Sequence, residues 1–127
     1  MEIIVFSNRD NTQKDLLLKE ISQIPNLDYR MNFDLDTLFE TVKFKASDAV
    51  FVFLITFEEE LDLLISNKRR FFNARFILIL SDTEKTLVSK GLSLHPRYLA
   101  QTDYGFRDVA AVLDKMANNR HEERDDI

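Results

Sequence analysis

The chain has no cysteine and no tryptophan, and only two glycines and two prolines in 127 residues. Without cysteine there is no disulfide, no thiolate metal ligand and no cysteine nucleophile, a composition that suits a reducing compartment. Gly91 and Gly105 both lie far from the first apolar run. The glycine-rich phosphate cradles of dinucleotide-binding and P-loop proteins are therefore absent. Long hydrophobic runs are missing too. The longest, Ala49 to Phe57, is about half of the ~20 residues that a membrane-spanning helix needs. The N-terminal Met1-Glu2-Ile3-Ile4-Val5-Phe6-Ser7-Asn8 has no basic region before a short apolar stretch, which is not a signal-peptide pattern. A cytoplasmic protein without a membrane partner is expected.

Positive charge is also in short supply, since 17 Lys and Arg stand against 22 Asp and Glu for a net charge of −5. A nucleic-acid partner is not expected, because general affinity for phosphate backbones needs a basic face. One basic run, Lys68-Arg69-Arg70-Phe71-Phe72, could combine phosphate contacts with stacking. It falls where a helix is expected to end, and cations there are favoured by the helix dipole. Histidine is equally sparse. His95 precedes Pro96 in a loop and His121 lies near the end of the chain, so no histidine-based metal site is expected.

What the chain does have is 45% hydrophobic residues, enough for one continuous core. Apolar periodicity alternates between short strand-like runs and helical stretches, the rhythm of a βα-repeating fold with a parallel sheet. Strands are predicted at Glu2–Phe6, Asp28–Phe33, Asp48–Ile55, Arg75–Leu80 and Arg97–Gln101. Helices are predicted at Gln13–Gln23, Leu35–Lys45, Phe57–Lys68, Thr83–Lys90 and Tyr104–Asn118. Thr12 with Asp15 and Thr56 with Glu59 resemble capping boxes, and Gly91 stands where a helix could end in a left-handed residue. The first, third and fourth strands are continuously apolar and belong inside the sheet, whereas Asp28–Phe33 alternates and Arg97–Gln101 is mixed, so both belong at edges. The result is an α/β, flavodoxin-like three-layer (βα)5 sandwich with sheet order 2-1-3-4-5, spanning residues 1–117 and followed by a charged tail, 118–127.

In that order the ligand crevice lies beyond the C-terminal ends of strands one and three. The residues to weigh are therefore Ser7 to Asp10 and Phe53 to Glu58. Aligned on Ile3–Phe6 and on Asp48-Ala49-Val50-Phe51-Val52-Phe53, the chain resembles the receiver domains of bacterial response regulators. That family places an acidic pair after strand one, a phospho-accepting aspartate at the end of strand three, a Ser or Thr after strand four, and a lysine then a proline after strand five. The matching positions here are Ser7 and Asn8, Phe53, Ser81, and Gln101 with Thr102. Tyr98 corresponds to the aromatic that changes rotamer in many receivers. The resemblance implies a domain that keeps the hydroxyl and aromatic of the switch, Ser81 and Tyr98, and has lost the phosphorylation chemistry.

Mg²⁺ needs hard oxygen ligands and normally recruits one or two carboxylates. Ser7, Asn8 and Phe53 supply none, although Asp10 and Glu58 to Glu60 lie near in sequence. No metal and no cofactor is expected. Ser7, Asn8, Asn11 and Thr12 could hydrogen-bond a flavin phosphate at a helix start, but they are more simply helix caps. Ser7 or Ser81 with His95 lacks the glycine-flanked turn of a hydrolase nucleophile, and no enzyme is expected. The reading that results is a non-phosphorylatable, receiver-like signalling module that acts through a protein partner. The resemblance puts the partner face on the fourth helix, fifth strand and fifth helix, with Tyr98, Tyr104 and Arg107 as anchors. On the alternative view, Phe106 and the two tyrosines merely cover the core and sheet edge. The same face could also hold a second copy of the chain. A different class of function, a small-molecule or nucleotide-binding regulatory domain, would use the crevice between Ser7–Asp10 and Thr56–Glu59.

Overall fold

Three continuously apolar runs form the centre of a five-stranded parallel sheet in the computed structural model, which describes residues 2–71, 73–81 and 85–118. The strands are β1 (Glu2–Ser7), β2 (Asp28–Asn32), β3 (Ala49–Ile55), β4 (Arg75–Leu80) and β5 (Tyr98–Gln101), in the order β2-β1-β3-β4-β5. All four pairings are parallel. Every residue of β3 is buried, while β2 exposes Asp28, Tyr29 and Arg30 and β5 is half-buried throughout. Interior and edge strands are thus as their compositions require.

Alternation along the strands splits the core into two layers. One face carries Ile4, Phe6, Phe51, Phe53, Phe76 and Leu78. It is covered by α2 (Leu35–Lys45), α3 (Glu58–Ser66), the single-turn α4 (Lys68–Phe71) and α5 (Lys85–Leu92). The opposite face carries Ile3, Val5, Val50, Val52, Ile77 and Ile79 under α1 (Lys14–Ser22) and α6 (Arg107–Asn118). Val109, Leu113 and Met116 form the buried stripe of α6, and each such side chain contributes about 1.5–3 kcal/mol by leaving water. The fold is therefore the flavodoxin-like sandwich expected. Among the described residues no helix is long and apolar enough to cross a membrane.

Several boundaries differ from expectation, each for a local reason. The predicted helix Phe57–Lys68 breaks at Asn67, whose Nδ2 donates to the Leu63 carbonyl at 2.8 Å while its backbone leaves the helical region at φ −111°. The basic run thereby becomes a separate turn that delivers Phe71 to the core. Residues Tyr104 to Phe106 are not yet helix. A 3-10 turn over Thr102–Tyr104 ends at Gly105, whose φ of 75° and ψ of −167° only glycine adopts readily. Caps also shift. Asn11 Oδ1, not Thr12, accepts from Gln13 N at 2.8 Å before α1. At α3, Glu60 Oε1 accepts from Thr56 N at 2.8 Å and Phe57 N at 3.0 Å, so the box expected between Thr56 and Glu59 does not form. The predicted start of the fourth helix at Thr83 and the tail after Asn118 lie outside the described residues.

Gly91 is not a left-handed cap but a buried residue within α5. A Cβ there would stand 2.9 Å from both Leu78 Cδ2 and Leu99 Cδ1, so glycine lets the helix approach β4 and β5 closely. Gly91→Ala should change stability little, because a helix-propensity gain of up to about 1 kcal/mol offsets a small shift of two leucine tips. Gly91→Val should cost about 1–3 kcal/mol by overpacking. Urea denaturation of the two variants checks the pair, and equal stabilities would mean that α5 moves freely off the sheet.

Asp34 is the N-cap of α2, its Oδ2 accepting from Thr37 Oγ1 at 2.8 Å and Thr37 N at 3.3 Å. These hydrogen bonds, the hydroxyl first, hold its carboxyl below the ordinary value. A lowered folded pKa means that the cap's contribution is complete above the unfolded value of about 3.9 and is lost as pH falls through the folded one. Asp34→Asn keeps an acceptor but cannot titrate. Its melting temperature should fall less steeply than that of the wild type as pH drops below about 4, and parallel curves would show that Asp34 does not contribute to the acid limb.

Candidate functional site

Parallel strands leave their C-terminal ends facing one side, and the crevice there is walled by Ser7, the loop Asn8 to Gln13, Ile55 to Glu58, and Ser81. The side chains that enclose it are engaged with one another. Asn11 is buried, and its Nδ2 donates to Thr56 Oγ1 at 2.7 Å, tying the loop after β1 to the end of β3 across 45 residues of sequence. Ser7 is fully buried and donates from Oγ to the Asn8 carbonyl at 2.9 Å. Asn8 Oδ1 in turn accepts from Asp10 N at 2.8 Å, an Asx turn that holds the loop. Ser81 N closes the other wall by donating to the Ile55 carbonyl at 3.1 Å. The space left beside Thr56, Leu61, Leu80 and Ser81 is about 10 Å³, no more than one water requires.

The acids near the crevice are also placed. Glu60 caps α3, and Glu58 is paired with Lys90 of α5 at 2.7 Å, with Asp62 joining at 3.0 Å. Hydrogen bonds that Lys90 donates to Glu58 and then to Asp62 raise its pKa above the ordinary value. All three groups are substantially exposed, so the bridge fixes α3 against α5 more than it adds stability. Asp10 and Glu59 point to solvent. Arg9 lies over the Phe33 ring, its guanidinium carbon 4.3 Å from the centroid. Among the described residues, no three His, Asp or Glu side chains are grouped to hold a metal.

Phe53 is not at the rim. It pairs with Phe6 and Leu78 two residues before β3 ends, is fully buried, and packs on Phe71 and Phe76 at centroid distances of 5.6 and 5.5 Å. The end of β3 falls instead to Ile55 and Thr56, and neither is an acid. Phe57, half-exposed, does not enter the crevice core either. Of the positions singled out by resemblance, Ser7, Asn8 and Ser81 meet at the crevice, and Gln101, paired with Leu80, ends β5 beside it. Tyr98 pairs with Ile77 at the far end of β5. Four residues of strand rise, about 13 Å, separate its level from that of Ser81. The Asn11–Thr56 contact is not legible in the sequence because each residue reads as a local helix cap and the two lie 45 residues apart.

On the other flank, Tyr98, Gln101, Gly105, Asp108 and Val109 line a shallow groove between β5 and α6. Tyr98 is half-buried against the α1 and α6 core layer, and Phe106 belongs to that layer. Arg107 is exposed at the first turn of α6. The side chain of Tyr104 lies outside the described residues.

No family model and no curated protein matches the sequence. A crystal structure of a Burkholderia pseudomallei protein, provisionally named as related to pilus assembly, is similar in fold. The TM-score is 0.67 over 91% of this chain and 87% of that one, at 10% sequence identity. The likeness is one of architecture, in keeping with a receiver-like fold.

The position of Phe53 generates a direct test. Phe53→Asp should lose the ~3–5 kcal/mol of a core phenylalanine and add the cost of a buried carboxylate. Together these approach the ~5–15 kcal/mol that holds a domain of this kind folded. Circular dichroism melts should show a loss of cooperative folding with or without Mg²⁺. A folded variant stabilised by Mg²⁺ would instead place residue 53 at an open crevice.

Proposed function

We propose that the chain is a receiver-like signalling module that binds a protein partner without accepting a phosphoryl group itself. The Asn11–Thr56 hydrogen bond carries this reading. It ties the loop after β1 to the end of β3, the two segments that carry a receiver's acids, with two neutral side chains that satisfy each other. Phosphoryl transfer requires preorganised positive charge and a metal held by carboxylates, whereas Glu60 is committed to a helix cap, Glu58 to Lys90, and Asp10 and Glu59 point to solvent. A small-molecule site in the same crevice would have to break those contacts before admitting a ligand.

The partner surface proposed is the flank of α5, β5 and α6, with Tyr98 and Arg107 as anchors and Tyr104 beside them. It is supported by the groove along β5, which Tyr98 lines, and by the presence on this flank of an aromatic and an exposed arginine, residue types over-represented in binding hot spots. Ser81 and Tyr98 would not touch, so a partner would act on Tyr98 directly. The Burkholderia protein's provisional name suggests an assembly role for that protein, and a scaffold role here would need no catalysis. A second copy of the chain is an alternative occupant of this flank.

Intact-mass measurement after incubation with acetyl phosphate and Mg²⁺ should show no phosphoryl adduct. Affinity capture from the native cell should recover a signalling or output protein. Tyr98→Ala and Arg107→Ala, checked for folding by circular dichroism, should each weaken that complex by about 1 kcal/mol or more. An adduct mapped to Asp10, or a complex abolished by Arg9→Ala or Glu58→Ala and untouched by the other two, would move the function back to the crevice.

A further inference from the structure

At the opposite end of the sheet, the starts of β4 and β5 frame a cavity of about 630 Å³. Ala74 and the rims of the otherwise buried Phe71, Phe76 and Leu94 form its apolar side, and Lys68, Arg69, Ser93 and His95 stand around the mouth. The floor is rigid. Phe71 and Phe76 meet edge to face at 5.3 Å, and Phe71 also stacks on Phe39 at 6.1 Å. The far wall is fixed by Leu94 N donating to the Gly91 carbonyl at 3.1 Å and His95 N to the Leu92 carbonyl at 3.0 Å. His95 then adopts a left-handed φ of 56°, which turns the chain back into β5.

Polarity is what narrows the ligand. In a chain of net charge −5, the described residues at this mouth include a lysine and an arginine, both exposed, and no carboxylate. An arginine presents a fork of donors suited to a carboxylate, and the adjacent lysine adds a point charge. The volume falls within the ~300–1,000 Å³ typical of small-ligand pockets lined by apolar groups with a few polar ones. A single aromatic anchor from a protein would fill only part of it, whereas an aliphatic chain can follow the lining from end to end.

We propose that this cavity binds an amphipathic monocarboxylate, its aliphatic chain along Ala74 and the rims of Phe71, Phe76 and Leu94 and its carboxylate between Lys68 and Arg69. The site shares no residue with the crevice or with the β5 groove, so it stands or falls apart from the signalling reading. Binding there would bear on Phe71 and Phe76, whose rings also pack on Phe53 of β3, and through them on the centre of the sheet.

Decanoate is the probe, titrated into the full chain by calorimetry and followed in ¹H–¹⁵N spectra. Saturable binding at one site is expected, with shifts concentrated at Ala74, Ser93, Leu94 and His95. Replacing Lys68 and Arg69 together by alanine should weaken it about tenfold, the sum expected for two exposed ion pairs. Decanol, which keeps the chain and lacks the charge, should bind more weakly than decanoate. Ser93→Glu, at an exposed position outside the core, should repel decanoate; because Ser93 Oγ donates to the Lys90 carbonyl at the end of α5, circular dichroism checks that the variant is folded. The proposal is overturned if decanoate does not bind saturably, if its shifts fall elsewhere, if decanol binds as well, or if neither set of variants weakens it. Protection of this cavity by a captured protein, with no decanoate binding, would overturn it in favour of a protein anchor.

Discussion

Burial of β3 on both faces is the constraint from which the other layers follow. All seven of its residues are buried, so its backbone groups can be satisfied only by pairing with β1 and β4, and its side chains only beneath helices on each side. The alternation of Val50, Val52 and Leu54 with Phe51, Phe53 and Ile55 divides those helices into two sets. The set facing the phenylalanines must accommodate large rings. Phe39, Phe53, Phe71 and Phe76 do so through one stack and three tilted or edge contacts, arrangements that suit the quadrupoles of aromatic rings.

That cluster accounts for the break between α3 and α4. A continuous helix over 58–71 would carry the segment off the sheet in a straight line, whereas the stop at Asn67 lets the next turn drop Phe71 between Phe39 and Phe76. The cations Lys68, Arg69 and Arg70 are then carried outside, with Arg70 5.9 Å from the Phe39 centroid. Their position reflects the placement of one phenylalanine more than any dipole at the end of α3.

The sheet order was legible because it depends on a property that each strand carries by itself, namely whether one or both of its faces are apolar. Helix existence was legible for the same reason. The parts that were not legible depend on what lies opposite in space. Gly91 looked like a terminator until Leu78 and Leu99 were found against it. Asn11 and Thr56 each looked like local caps, and their most consequential bond is to each other. The receiver alignment located the crevice through Ser7, Asn8 and Ser81. Phe53, the position aligned with the phosphoacceptor, lies two residues before the end of β3 and inside the aromatic cluster.

The two ends of the sheet have consequently been treated in opposite ways. At the C-terminal ends of β1, β3 and β4 short polar side chains satisfy one another, and the space left beside Thr56 and Ser81 is no wider than a water. Such a set gains from staying closed, since opening it would leave Asn11 and Thr56 without partners in a half-buried site. At the N-terminal end the lining is aromatic and aliphatic, and apolar groups have no mutual hydrogen bonds with which to close a gap. Packing alone could close it, but Phe71 and Phe76 are already held by Phe39 and Phe53 and are not free to move in. A fold of this topology ordinarily keeps its binding capacity beyond the C-terminal ends of the strands. Here the aromatic core, by fixing Phe71 on one side and leaving Leu94 on the other, adds a concave surface at the opposite edge.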